Sequence, residues 1–211
     1  MRRNLNEMHK KVCILDYGAG NVNSVYNIFK MYTEVNVSNN LSIIKDSTHI
    51  VLPGVGAFET TVEKIIKLLP IDDIRNIVFN ERKPFLGICI GMHVLATTGF
   101  EFGEHPGLGW IQGRVEKLDP GGMPLPHIGW NNIICKKKSS ILKGLESNPD
   151  FYFVHSYVFK PYELETIVAT SFYGEEFCSI IQYENIFGVQ FHPEKSQKAG
   201  IKLVENFLSV Q

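Results

Sequence analysis

The sequence predicts an α/β fold, a central mostly parallel sheet flanked by helices, with a β-rich second half. Three observations point there. Short, largely apolar runs alternate with amphipathic segments through the first half, as in buried parallel strands joined by crossover helices. The apolar runs at 12–15 and 49–52 give way to glycine-bearing turns, and the run at 84–88 leads into a third. After about residue 108 the chain becomes rich in β-branched and aromatic segments separated by Gly, Pro, Asn and Lys, the texture of shorter strands, several of them antiparallel.

The elements follow in order. Residues 1–10 are polar and are expected to form a mobile extension ahead of a single domain over 11–211; they lack the apolar stretch of a secretory signal. Val12–Leu15 reads as a buried strand, Gly18 and Gly20 as its turn, and Val22, Val25, Ile28 and Phe29 as one face of a helix. His49–Leu52 is a second strand, stopped by Pro53-Gly54. Phe58, Val62, Ile65, Ile66 and Leu69 recur at helical spacing. Residues 71–82 read as a further helix, and 84–88 as a third strand running into Cys89. Beyond it, 109–118, 127–135, 151–159, 166–173 and 177–191 read as strands, with Glu184-Asn185 as a hairpin tip. A last helix from about Ser196 turns Val204, Phe207 and Leu208 inward.

Composition narrows the function. The 211 residues carry 21 Lys+Arg against 22 Asp+Glu, a net charge of -1, so no global field favours nucleic acid or an anionic membrane. No apolar run reaches the ~18 residues of a membrane span. The four cysteines are widely separated. That argues against a zinc ribbon, a CxxC redox pair or a disulfide scaffold, and for a cytoplasmic protein with reduced thiols. Cys13, Cys135 and Cys178 sit in apolar strand contexts and read as small core residues. Gly18-x-Gly20 lacks a third glycine, since Asn23 stands there, so no nucleotide cofactor is expected. Neither is a metal. Lys136-Lys137-Lys138 reads as a solvated edge.

Gly87-Ile88-Cys89-Ile90-Gly91 is the strongest local signal. A buried strand leads in and helix-compatible residues, Met92 to Ala96, lead out, which is the pattern of a nucleophile elbow with cysteine at its apex. Flanking glycines remove side chains that would strike neighbouring backbone, and a following helix N-terminus favours a thiolate. A cysteine nucleophile needs a base, and the base an orienting acid. His192-Pro193-Glu194 after the run 188–191 offers both: on extended chain, residues two apart point the same way. Pro53-Gly54-Val55-Gly56 follows the second strand, where backbone N–H groups, with that of Ile90, can build an oxyanion hole. Read alone, each window has a plainer alternative: a buried cysteine, a capping histidine, a β-turn.

Taken in order, Pro-Gly-Val-Gly, Gly-x-Cys-x-Gly and His-Pro-Glu resemble the triad, or class I, glutamine amidotransferases. Asp16–Asn21, Gly107–Trp110, Pro126–Asn131, Tyr152–Tyr157 and His192–Ser196 extend the likeness to nearly the whole chain. They resemble the branch that supplies the glutaminase subunit of imidazole glycerol phosphate synthase. The resemblance implies a flavodoxin-like class I amidotransferase fold. It implies hydrolysis of L-glutamine, with ammonia passed to a (β/α)₈-barrel synthase partner in a heterodimer of the histidine pathway. By motif position, Cys89 is nucleophile, His192 base and Glu194 its orienter. Gly54, Val55, Gly56 and Ile90 lie on the oxyanion side. Trp130, Tyr157 and Lys195 match positions near the partner interface. The sequence departs from the family at His93, where glutamine is usual and contacts the substrate; His93 has different reach and donor geometry. Thr97–His105 resembles a paralogous set that feeds ammonia to surface-polysaccharide sugar amidotransferases. That pathway, and a catalytically weak scaffold subunit, stay open alternatives.

Overall fold

The computed structural model describes residues 10–18 and 20–211. The expected mobile extension, Lys10 apart, and Ala19 of the first glycine turn lie outside them. The first half holds β1 (Lys11–Leu15), α1 (Val22–Lys30), β2 (Glu34–Ser38), α2 (Leu41–Asp46), β3 (His49–Leu52), α3 (Phe58–Leu68), α4 (Ile71–Phe79) and β4 (Phe85–Ile88). Next come α5 (Ile90–His93), β5 (Thr98–Gly99), β6 (His105–Pro106), β7 (Gly113–Lys117), β8 (His127–Asn132) and β9 (Ile134–Cys135). β10 (Asp150–His155), β11 (Tyr157–Pro161), β12 (Ile167–Tyr173), β13 (Glu175–Tyr183), β14 (Ile186–Val189) and α6 (Gln197–Leu208) complete the chain.

The main sheet has eight strands in the order β2-β1-β3-β4-β14-β13-β12-β9. Pairings from β2 through β14 are parallel, and those from β14 to β9 antiparallel. Strand alternation divides the apolar residues between two cores. Val12 and Ile14 pack with Val25, Phe29 and Phe207 on one face. Cys13 and Leu15 pack with Val62, Ile65 and Ile77 on the other. β8 and β10 form a separate antiparallel ribbon, and β11-β7-β5-β6 a third sheet. The hairpin tip at Glu184-Asn185 joins β13 to β14, and Asn185 Nδ2 docks it by donating to the Val78 and Lys83 carbonyls at 2.9 and 2.8 Å.

The structure corrects several expectations. α4 stops at Phe79 rather than running to 82, because Arg82 adopts a left-handed φ of 60° and Pro84 disfavours helix at Lys83. The helix leaving the elbow is a single turn. The Val94, Leu95 and Ala96 carbonyls are taken instead by the N–H groups of Leu108, Gly109, Trp110 and Ile111, at 2.8–3.0 Å. The strand expected at 109–118 spans only Gly113–Lys117. Cys135 is exposed, not core, because β9 is a two-residue strand at the sheet's outer edge. β2 and α2 have no counterpart in the sequence reading. The polar residues Glu34, Asn36 and Ser38 mark an edge strand that needs no apolar run.

Candidate active site

Four adjacent parallel strands, β1, β3, β4 and β14, deliver their carboxyl-end loops to one edge of the sheet. Ligands of open α/β sheets bind there. β4 delivers Cys89. Its backbone has φ 54° and ψ -112°, a conformation that costs a non-glycine residue about 1–3 kcal/mol and persists only when its surroundings impose it. The surroundings are visible. A Cβ on Gly87 would lie 2.4 Å from the Gly91 carbonyl oxygen, and one on Gly91 would lie 1.9 Å from that of Leu52. Both glycines are demanded by backbone packed on backbone. The Cys89 N–H donates to the Val189 carbonyl at 2.8 Å, tying the elbow to β14.

β14 delivers His192. Its Nδ1 lies 2.8 Å from Glu194 Oε1, with both side chains fully buried. The sequence expected an extended approach; in fact Glu194 reaches the ring from a 3₁₀ turn over Pro193–Lys195. Proline suits the first position of such a turn because its φ is already helical. Ser196 fixes the loop: its hydroxyl donates to the His192 carbonyl at 2.7 Å and accepts from the Tyr152 N–H at 3.0 Å. The Nε2 of His192 is buried with no hydrogen-bond partner. Burial alone would depress the ring's pKa, but the neighbouring Cys89 sulfur and the Glu194 carboxylate lift it to about 9. Burial opposes ionisation of Glu194 too, and hydrogen bonds from His192 and Asn21 hold it below the usual carboxylate range.

β3 delivers Pro53–Gly56. A Cβ on Gly54 would come within 2.1 Å of Ile90 Cγ2 and 2.3 Å of the Tyr17 hydroxyl oxygen. The loop backbone therefore lies against Ile90, the residue that follows Cys89. Tyr17 donates to the Pro53 carbonyl at 2.7 Å and braces it from below. Val55 is exposed, and Gly56 has φ 121°. Glu101, which the sequence reading did not single out, accepts from the Phe58 N–H at 2.7 Å and so caps α3 directly behind this loop. No spacing rule links residues 43 apart, so only the fold reveals the contact.

His93 is buried, and burial lowers its pKa to about 4, so the ring is neutral. Its Nε2 lies 2.7 Å from Gln190 Oε1. A neutral ring donating from Nε2 turns the Gln190 amide nitrogen toward Cys89 Sγ, 4.0 Å away. A second neutral pair lies nearby: His127 Nδ1 and His155 Nε2 are 2.9 Å apart, and His155 Nδ1 donates to the Tyr157 carbonyl at 3.0 Å.

Of the three expected interface residues, two come together. Trp130, 48% exposed on β8, meets Tyr152 edge-on with ring centroids 6.1 Å apart. Lys195 Nζ lies 5.7 Å above the same Tyr152 ring. Tyr157 is elsewhere: it lies on β11 in the third sheet, where burial and the Glu101 charge raise its pKa. Tyr152 pairs directly with Trp130 across the β8–β10 ribbon.

Comparison with known proteins agrees with this geometry. The glutamine amidotransferase class-I family matches residues 13–210. An imidazole glycerol phosphate synthase subunit HisH of Pelagibacter ubique is 41% identical over 206 residues, covering 94% of this chain and 99% of the relative. One from Aquifex aeolicus is 43% identical over 199 residues, covering 93% and 95%. Among solved structures, PurLQS from Thermotoga maritima superposes with a TM-score of 0.73 at 17% identity, covering 95% of this chain and 98% of that one, a likeness of fold. Motif order, elbow geometry and these matches agree: the chain belongs to the class-I glutamine amidotransferase family.

Proposed function

We propose that this chain is the glutaminase subunit of an imidazole glycerol phosphate synthase. In this reading it hydrolyses L-glutamine to glutamate and ammonia and delivers the ammonia to a (β/α)₈-barrel synthase subunit in the cytoplasm. The observation that carries the chemistry is the pairing of a strained cysteine at the end of β4 with a buried histidine–glutamate pair at the end of the neighbouring β14. Cys89 Sγ attacks the side-chain amide carbon of glutamine. The amide oxygen becomes an oxyanion, held by backbone N–H groups of the Gly54–Val55 loop and of Ile90. His192, its Nδ1–H held by Glu194, takes the Cys89 thiol proton on Nε2, gives it to the departing ammonia and leaves a thioester on Cys89. It then takes a proton from water, the hydroxide attacks the thioester, and glutamate leaves with the thiol restored. One water is consumed for each glutamate and ammonia formed.

The relatives' names support a role as one subunit of a larger synthase. Among the described residues, no helix is long and apolar enough to cross a membrane. Trp130, Tyr152 and Lys195, with exposed Ile128 beside them on β8, form the aromatic and cationic face that suits a partner surface. The test is Cys89→Ser in the native assembly. It should abolish glutamate release while leaving synthesis from added ammonia intact. Glutamate release at the wild-type rate would refute the assignment. Stimulation of release by the histidine-pathway ribotide supports the synthase reading. Indifference to it supports a sugar-modifying partner, for which the Thr97–His105 stretch is the sequence argument.

A further inference from the structure

Asn21 stands at the N-cap of α1 and does not cap it. Asparagine is among the best N-cap residues, because its side-chain oxygen accepts from an orphan N–H of the first turn. Asn40 does this for α2, accepting from the Ser42 N–H at 2.8 Å. Asn21 has φ -107° and ψ 10°, and its side chain makes no cap bond. Its Nδ2 donates instead to Oε1 of Glu194, 173 residues away in sequence. The same oxygen lies against His192 Nδ1, while Oε2 of Glu194 is buried with no partner. An ionised carboxylate only accepts hydrogen bonds, so the amide must present its nitrogen. Two donors converging on one oxygen stop the carboxylate from pivoting, and β1 and β14 thereby hold the site from both flanks.

We propose that Asn21 is a positioning residue for the His192–Glu194 pair, its side chain withdrawn from the cap of α1 to fix the Glu194 carboxylate against the histidine. The inference rests on the glutaminase reading and deepens it. A local preference set aside at a functional site is where sequence rules are expected to fail.

The experiment compares Asn21→Ser and Asn21→Asp in the native assembly, with Cys89→Ala and Glu194→Gln as controls. Turnover, Michaelis constant and thermal midpoint are read for each. Serine caps well but is too short to reach Glu194. Its turnover should fall about 10–100-fold, as for a loosened supporting contact, with the Michaelis constant within about twofold and no drop in thermal midpoint. Aspartate also caps but sets a carboxylate against Glu194, so its turnover should fall further. A residue that merely stabilised α1 would leave turnover untouched in Asn21→Ser. Wild-type turnover in both Asn21 variants, with both controls inactive, overturns the inference alone. Wild-type turnover in the controls overturns the glutaminase reading beneath it.

Discussion

Gly91→Ala tests whether the elbow is held by backbone contact. The added Cβ would sit 1.9 Å from the Leu52 carbonyl oxygen and 3.0 Å from its carbon. Neither atom is the end of a flexible side chain, so the elbow and the end of β3 must part by about 1.5 Å to regain ordinary contact. Overpacking of this kind costs about 1–3 kcal/mol of stability. The catalytic cost is larger, because the movement separates Cys89 from the Pro53–Gly56 loop, and a misplacement of about 1 Å costs on the order of 10²-fold in rate. Gly109 supplies the comparison. It has a left-handed φ, of 63°, which Gly91 does not, but an added Cβ there meets nothing within 4 Å. Gly109→Ala should therefore cost only about 1 kcal/mol of backbone strain and keep wild-type turnover. Urea unfolding and glutamate release on both variants decide the matter. Equal stability and turnover in the two would refute the claim that backbone contact holds the elbow.

Other outcomes follow from the same geometry. His93→Gln should alter the rate of Cys89 alkylation, because it removes the ring that aims the Gln190 amide at the thiol; Gln190→Leu should reproduce the change, and wild-type rates in both would detach the pair from the nucleophile. His49, His93 and His155 are held neutral by burial, with pKa values lowered to about 4, 4 and 3. The unfolded chain binds protons at these positions below its ordinary histidine value of about 6.5, while the folded chain does not, so stability falls as the pH drops from about 6.5 to about 4. Denaturant titrations across that window should show proton uptake on unfolding, reduced in His155→Gln; a flat profile would contradict the burial argument. Trp130→Ala should weaken binding of the synthase subunit by at least about 1–2 kcal/mol, as for an aromatic anchor, with little effect on the isolated chain's stability; unchanged affinity would move the interface elsewhere.

The parallel half of the fold was legible because strands buried on both faces must be apolar throughout. Val12–Leu15 and His49–Leu52 announce themselves, whereas the edge strand Glu34–Ser38 is half-solvated and carries no such mark. The elbow was legible because close backbone approach forces glycine at 87 and 91. Periodicity could not show that 108–111 would take the carbonyls after His93 and cut the helix to one turn. The placement of Tyr152 beside Trp130 depends on β8–β10 register, which neither strand's own pattern contains. Asn21 and Glu101 act across 173 and 43 residues, on Glu194 and on the start of α3.

The most direct measurement is the mass of the chain after exposure to 6-diazo-5-oxo-L-norleucine, a glutamine mimic that alkylates amidotransferase nucleophiles. The expected result is one adduct per chain, mapped to Cys89, slowed by glutamine and lost in His192→Ala. Labelling spread over Cys89 and the exposed Cys135 alike, or unaffected by glutamine, would contradict a built glutamine site at the end of β4.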